Sequence, residues 1–297
     1  MLLRSLGAAA GGGYPQWNCA CPGCRRARRH PETASLHASL AVSGDGTRWY
    51  LLNATPDVHH QIAATPFLHP GPGPRDTPVA GVLLSDAEFD HTIGLLILRE
   101  GSPLTVYGTA PVLGTLANDF PVRDLLADYA ALSWHEIESG VGFDLDGRLR
   151  VTAFPTGRKP PRYVREPKAF DDWEVAYHLR DTVTGGTAVY APTVPRWDED
   201  FAAWAEAVDC VMVDGTFFTD DEMPRVSGGT RTARDMGHLP IGGEHGSLTR
   251  LAQLPAKRKV FTHINNTNPI LDRTSPEHAL ITSMGIEVGL AGLEVQL

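Results

Sequence analysis

The chain of 297 residues carries 26 Lys+Arg against 35 Asp+Glu, a formal net charge of −9 with histidine neutral. Such a balance argues against a nucleic-acid surface, which needs clustered positive charge. A composition of 42% hydrophobic and 21% charged residues argues against wholesale disorder. Apolar runs such as Leu95-Leu96-Ile97-Leu98 fall far short of the ~18 residues of a spanning helix. Neither nucleic acid nor a membrane is therefore an expected partner.

Leu2-Leu3-Arg4-Ser5-Leu6 is too short for the apolar region of a secretory signal and runs into Gly11-Gly12-Gly13, so it reads as a first strand entering a glycine turn. The expected compartment is the cytoplasm, where cysteine clusters bind metal more often than they form disulfides. Further strands are expected at Arg48–Asn53, Val79–Leu84, Leu104–Tyr107, Arg148–Phe154, Glu174–Leu179, Thr187–Tyr190, Cys210–Val213, Lys259–Thr262 and Ile286–Leu290. Helical patterns lie at Thr92–Arg99, Ala110–Asn118, Asp198–Ala207 and Gly246–Leu254. Strands outnumber helices and do not alternate cleanly with them, which favours a layered α/β or α+β architecture over a barrel. Two stretches, the proline-rich Thr65–Thr77 and the Pro/Arg/Lys-rich Pro155–Pro167, read as long loops. Neither divides the chain into different halves, so residues 1–297 are expected to form one domain.

Two constellations carry chemistry. Cys19-Ala20-Cys21-Pro22-Gly23-Cys24 places three thiolates where they can converge on one ion, and soft sulfur with tetrahedral geometry points to a structural zinc. A closed site needs a fourth ligand. Cys210 is a candidate, although it opens an apolar strand and suits a buried core thiol better. The second constellation is the loop after the strand ending at Leu84, where Asp86, Glu88, Asp90 and His91 bring four potential ligands into six residues. A strand end holds such groups at fixed geometry.

Strand, loop and helix here resemble the metallo-β-lactamase signature T-H-x-H-x-D-H, with Asp86 and Glu88 in place of its first two histidines and Asp90 and His91 matching. Further segments narrow the likeness to the coenzyme PQQ synthesis protein B family. These are Gly11–Cys19 (GGGYPQWNC), Asn53–Asp57 (NATPD), Gly94–Gly101 (GLLILREG), Val213–Phe217 (VDGTF), Asp235–Leu239 (DMGHL) and His263–Asp272 (HINNTNPILD). The resemblance runs in colinear order along nearly the whole chain. It implies the αββα four-layer sandwich of the metallo-β-lactamase fold. It also implies an iron(II), dioxygen-dependent hydroxylase acting on the tyrosine ring of a Glu–Tyr unit, with Asp90, His91 and His263 as the iron ligands. Related phosphodiesterases complete the cysteine site with a histidine near the C-terminal block, a place that Asn266 takes here.

The substitutions bear on the chemistry. Two-metal hydrolysis relies on neutral histidines sharing a hydroxide. This chain lacks the first two, lacks the histidine expected within Pro155–Arg158, and lacks the bridging aspartate near Tyr190–Thr193. One carboxylate and two imidazoles remain, the iron(II) oxygenase set. Asp86 and Glu88 are expected to orient ligands or move protons, with Asp214 and His238 reaching the same cavity. Arg158, Lys159 and Arg162 are candidates for substrate carboxylates. His37 stands where the family has a glutamine and is a candidate substrate contact, which leaves room for a different peptide- or amino-acid-derived pathway. A metal-dependent hydrolase and a non-catalytic carrier of PQQ or an intermediate are the competing classes, and a homodimer is compatible with either.

Overall fold

Central strands of this chain, such as Trp49–Leu52 and Cys210–Asp214, are apolar at nearly every position rather than at alternate ones, as expected where a sheet is covered on both faces. The computed structural model describes residues 1–100 and 103–297. Gly101, in the Gly94–Gly101 run above, lies outside them.

The first sheet contains β1 (Leu2–Gly7), β2 (Ser39–Ser43), β3 (Trp49–Leu52), β4 (Val79–Leu83), β5 (Leu104–Gly108) and β6 (Leu132–Glu136). The second contains β7 (Gly142–Leu145), β8 (Leu149–Gly157), β9 (Glu174–Asp181), β10 (Thr187–Ala191), β11 (Cys210–Asp214), β12 (Arg258–Thr262) and β13 (Glu287–Val288). A last strand, β14 (Glu294–Gln296), returns to pair antiparallel with β1. The orders are β14-β1-β2-β3-β4-β5-β6 and β13-β12-β11-β10-β9-β8-β7. Each sheet is antiparallel in its first half (β14 to β3, β7 to β10) and parallel in its second (β3 to β6, β10 to β13). The helices are α1 (Pro22–Arg29), α2 (Val58–Ala63), α3 (Phe89–Thr92), α4 (Ala110–Asn118), α5 (Val122–Leu126), α6 (Glu199–Glu206), α7 (Glu222–Ser227), α8 (Ser247–Gln253) and α9 (Pro276–Ser283).

Strand alternation sorts these side chains into three apolar layers. Leu40, Val42, Tyr50, Leu52 and Leu83 meet Val151, Tyr177, Leu179, Tyr190, Met212 and Val260 between the sheets. On the outer face of the first sheet, Trp49, Leu51, Val82, Leu84 and Val106 pack against Val58 of α2, Val112 and Leu116 of α4, and Val122 and Leu126 of α5. On the other side Val189, Val211, Val213 and Phe261 take Phe201 and Ala205 of α6, Leu248 and Leu251 of α8, and Ile281 of α9. The result is the αββα four-layer sandwich. Each of these large side chains, buried, contributes about 1.5–3 kcal/mol, which makes the inter-sheet layer the main stabiliser of the scaffold.

Most expected elements appear within a residue or two, and α4 coincides with its expected range. The helix expected over Thr92–Arg99 does not form as one piece. The chain makes the single turn α3 and then a 3-10 turn over Ile93–Leu96. Gly94 explains the break, because it donates to the Ala54 carbonyl (2.9 Å) and a methyl group there would sit 2.3 Å from the Thr55 carbonyl oxygen. That approach pins the loop after β4 to the loop after β3. The cysteine segment initiates α1: Pro22 occupies its first turn, and the Cys21 sulfur caps it by accepting from the Cys24 N–H (3.4 Å). The expected strand Ile286–Leu290 shrinks to Glu287–Val288.

Candidate metal centre

The loops leaving β4, β8, β10, β11 and β12 meet, with the start of β9, at one edge of the sandwich, the end at which parallel strands deliver their C-termini. They surround a cavity of about 280 Å³ lined by Glu88, Asp90, His91, Lys159, Glu174, Thr216, His238 and His263, among others. The glycine turn contributes the facing wall; a methyl group on Gly11 would lie 3.4 Å from the Asp90 carboxylate.

His91 is held by a chain of polar contacts running from the sheet. Asn53 donates to the Ser85 hydroxyl (3.0 Å), that hydroxyl lies 2.9 Å from Asp86 Oδ2, and the Asp86 carboxylate takes His91 Nδ1–H at 2.7 Å. The Glu88 N–H adds a bond to Asp86 Oδ1 (2.9 Å). With Nδ1 engaged, Nε2 faces inward, and it is buried without a hydrogen-bond partner. A buried, orphaned imidazole nitrogen calls for a partner such as a cation. Asp90 Oδ2 lies 3.6 Å from it and 3.4 Å from His263 Nε2. Two donors bonded to one ion at about 2.1 Å stand about 3.0–3.4 Å apart, so these three groups suit one ion. Their ligand atoms all fall within 4.8 Å of one another.

His263 ends β12 in the left-handed region (φ 53°), a conformation costly for a side chain with a Cβ. Its Nδ1–H donates to Thr216 Oγ1 (2.9 Å), which leaves Nε2 for the ion. Thr216 also donates to Asp214 Oδ1 (2.6 Å). Asp214 resembles Asp86: it is fully buried and engages His238 Nδ1 (2.8 Å). Its oxygens are occupied, Oδ1 by the Thr216 N–H and O–H, and Oδ2 by the Val194 N–H (2.9 Å) and His238. Although Asp214, His238 and His263 also cluster within 4.8 Å, this saturation makes Asp214 a support for His238 rather than a ligand.

The electrostatics follow from crowding of acids. Burial opposes charge on His91, yet Asp86 and Asp90 raise its pKa to about 9. Burial works against the Asp90 carboxylate too, but His91 and His263 bring it well below the usual range. Burial pulls His263 down. Glu88 is pushed up to about 7 by burial, Asp86 and Asp90. Glu174, buried at the start of β9, is pushed up to about 8 by burial and by Asp86.

The cysteines gather on the other side of the glycine turn. The Asn266 amide nitrogen faces all three sulfurs, at 3.2 Å from Cys19, 3.6 Å from Cys21 and 3.3 Å from Cys24. Backbone N–H groups of Cys21, Cys24 and Gln16 also point at these sulfurs (3.4, 3.4 and 3.3 Å). Burial pushes the Cys24 thiol up to about 12, so the trio loses all its protons only against a cation. The donor chemistry, three soft thiols converging on one point, fits zinc, while the Asn266 amide nitrogen at the fourth corner donates hydrogen bonds and offers no lone pair to an ion. Cys210 lies elsewhere, in the inter-sheet layer beside Met212.

Asp86, Glu88, Asp90, His91, Asp214, His238 and His263 thus share one edge, with Lys159 and Arg162 on the cavity wall. Two expected substrate contacts lie outside the cavity. His37 sits beneath the glycine turn, bonded through Nδ1 to Asp57 (2.6 Å) and through Nε2 to the Gly11 carbonyl (3.2 Å), so both ring nitrogens serve the scaffold. Arg158 is exposed and pairs with Asp171 (2.8 Å) in a separate surface hollow bordered by Phe154 and Trp204. Thr216, Glu174 and Arg231 join the site without having been singled out. Thr216 lies inside the Val213–Phe217 run, whereas Glu174 and Arg231 carry no local signal.

Comparison with known proteins adds to this geometry. A family model described as a beta-lactamase superfamily domain matches residues 48–264. The coenzyme PQQ synthesis protein B of Pseudomonas putida is 42% identical over 305 residues, covering 100% of both chains. That of Klebsiella pneumoniae is 41% identical, covering 100% of this chain and 98% of its own. Among solved structures, Zn(2+)-bound PqqB from Methylobacterium extorquens is 38% identical with a TM-score of 0.92 over 100% of both chains. A diphosphatase from the PhnP family shares the fold at 19% identity and a TM-score of 0.69, covering 100% of this chain and 97% of its own.

Proposed function

Because the chain belongs to the coenzyme PQQ synthesis protein B family of the beta-lactamase superfamily, we propose that it is an iron(II), dioxygen-dependent hydroxylase of a tyrosine-type substrate. The observation that supports this reading is the donor set itself: one carboxylate and two imidazoles, Asp90, His91 and His263, converge on a single ion site. Around it Asp86 and Glu88 stand where the superfamily signature has its first two histidines, and Glu174 adds a third acid to the cavity. Bound iron(II) with vacant positions supplies the electron and the open sites that dioxygen chemistry requires.

The chain's own residues do the rest. Asp86 and Thr216 fix the ring orientation and tautomer of His91 and His263, so that each presents Nε2. Glu88, with its pKa near 7, takes or gives a proton at its carboxyl oxygen close to neutral pH. His238, held by Asp214 and stacked beside His263, presents its Nε2 to the same cavity. Lys159, Arg162 and Arg231 meet substrate carboxylates.

The test is anaerobic reconstitution with Fe(II), followed by a tyrosine-containing substrate, a reductant and oxygen. A product heavier by one oxygen atom is expected, and Asp90→Ala and His263→Ala should abolish it. Hydroxylation that survives either substitution overturns the ligand assignment. Zinc- or manganese-dependent cleavage of a model phosphodiester without hydroxylation would favour a hydrolase. Tight quinone binding without turnover would favour a carrier.

A further inference from the structure

We propose that Glu174 is a specificity-determining residue that receives the primary ammonium group of an amino-acid substrate; this rests on the tyrosine-type reading above. Glu174 opens β9 opposite Gly157 in the β8–β9 register. Its carboxyl fills the space over that glycine, where a methyl group would overlap Oε2. A larger residue at 157 would expel it, so Gly157 is what admits Glu174 to the cavity.

The side chain is 7% exposed, and Oε2 has no hydrogen-bond partner. Lys159 compensates it only in part: its backbone N–H and its charge both favour the ionised carboxyl, but the ammonium is bonded to the Met236 carbonyl and no ion pair reaches Glu174 among the described residues. A buried carboxyl left in this state is costly unless a ligand completes it. Burial, with Asp86 and Glu88 nearby, raises its pKa to about 8, and those neighbouring acids favour a cation at this wall.

A metal ion is the poorer complement. Glu174 and Glu88 belong to none of the groups of ligand atoms that converge within 4.8 Å. An ammonium needs only one or two acceptors and donates to them directionally. Arg162 and Arg231 also border the cavity, and neither is committed to an ion pair among the described residues. Acids on one wall and guanidinium groups on another match a zwitterion, whose amine meets Glu174 while its carboxylate meets an arginine.

The experiment is calorimetric titration of the full chain loaded with zinc, so that no turnover occurs, with L-tyrosine, N-acetyl-tyrosine and desamino-tyrosine. A hydrogen bond to a charged group corresponds to about tenfold or more in affinity. Wild-type protein should therefore prefer L-tyrosine to both amine-blocked ligands by at least that factor. In Glu174→Gln the preference should collapse to near one, with zinc content and desamino-tyrosine affinity unchanged. Equal affinities in the wild type overturn the proposal regardless of how the variant folds. Undiminished preference in both Glu174→Gln and Glu174→Leu also overturns it. Failure of all three ligands to bind removes the tyrosine-type reading itself, whereas binding without amine preference removes only the role of Glu174.

Discussion

Replacing Asp86 by asparagine tests how the first histidine is held. Asparagine keeps the shape and can still accept from His91 Nδ1–H, but it removes a buried charge that contacts His91 at 2.7 Å and receives the Glu88 N–H at 2.9 Å. Loss of such an outer partner typically weakens metal binding about 10–100-fold, equivalent to about 1.4–2.7 kcal/mol. A second effect has the opposite sign. In the metal-free wild type the acids raise the His91 pKa to about 9, so at pH 7 an incoming ion must displace a proton from the nitrogen it needs. Each unit of pKa above the pH costs about tenfold. The two-unit gap therefore penalises the wild type about 100-fold at neutrality, and Asp86→Asn escapes much of that penalty because its His91 is less basic. The two effects nearly cancel at pH 7 and separate at pH 9.5, where the proton competition has vanished. Competition titration of Mn(II) against a chromophoric chelator at both pH values measures the difference. The variant should be weaker by 10–100-fold at the higher pH and close to wild type at the lower one. Equal affinity at pH 9.5 would refute the view that Asp86 organises the site through His91.

Three further outcomes follow from the same geometry. Thr216→Val removes the hydroxyl that accepts from His263 Nδ1 and donates to Asp214, and it should lower active-site metal affinity about tenfold while zinc at the cysteines stays put, as measured by metal analysis after graded chelation. Asn266→His places an imidazole where an amide now faces three sulfurs; zinc release to a chelator should slow relative to wild type, and Asn266→Ala should speed it. Glu88 and Glu174 have folded-state pKa values of about 7 and about 8, above the ordinary 4.5. The unfolded chain therefore ionises first, and the stability these groups contribute is complete below pH 4.5 and lost as pH rises through 7 to 8. Glu174→Gln should accordingly raise the melting temperature of the metal-free protein at pH 9 and not at pH 4.5, by about 2–4 °C per kcal/mol relieved, which thermal unfolding at the two pH values measures.

The central strands were legible because burial on both faces leaves almost continuous apolar runs, as in Cys210–Asp214. β2, β6, β7 and β14 were not: polar residues at exposed positions dilute the pattern in β6, β7 and β14, and β2 is five residues bounded by serine at each end. α1 was hidden because its eight residues hold four arginines and a zinc-type cysteine, and its cap is a sulfur. Asp86, Asp90 and His91 announce themselves by proximity along one loop. Glu174 does not: a single acid at a strand start becomes conspicuous only when folding presses it against Gly157 and leaves its Oε2 without a hydrogen-bond partner. His37 and Arg158 show the opposite error. Each has the right chemistry for a ligand contact, but folding spends it on Asp57 and Asp171.

The short segment from His263 to Asn266 serves both metal sites, the histidine facing Asp90 and the asparagine facing the cysteines. During synthesis this has a temporal consequence. Asp90 precedes His263 by 173 residues, and Cys19 precedes Asn266 by 247. At about 5–20 residues per second, the ribosome leaves the early ligands without their late partner for roughly ten seconds or more. An ion captured in that interval meets only the early groups of each set. Arrival of the segment after β12 then completes both sets of facing groups within four residues of growth.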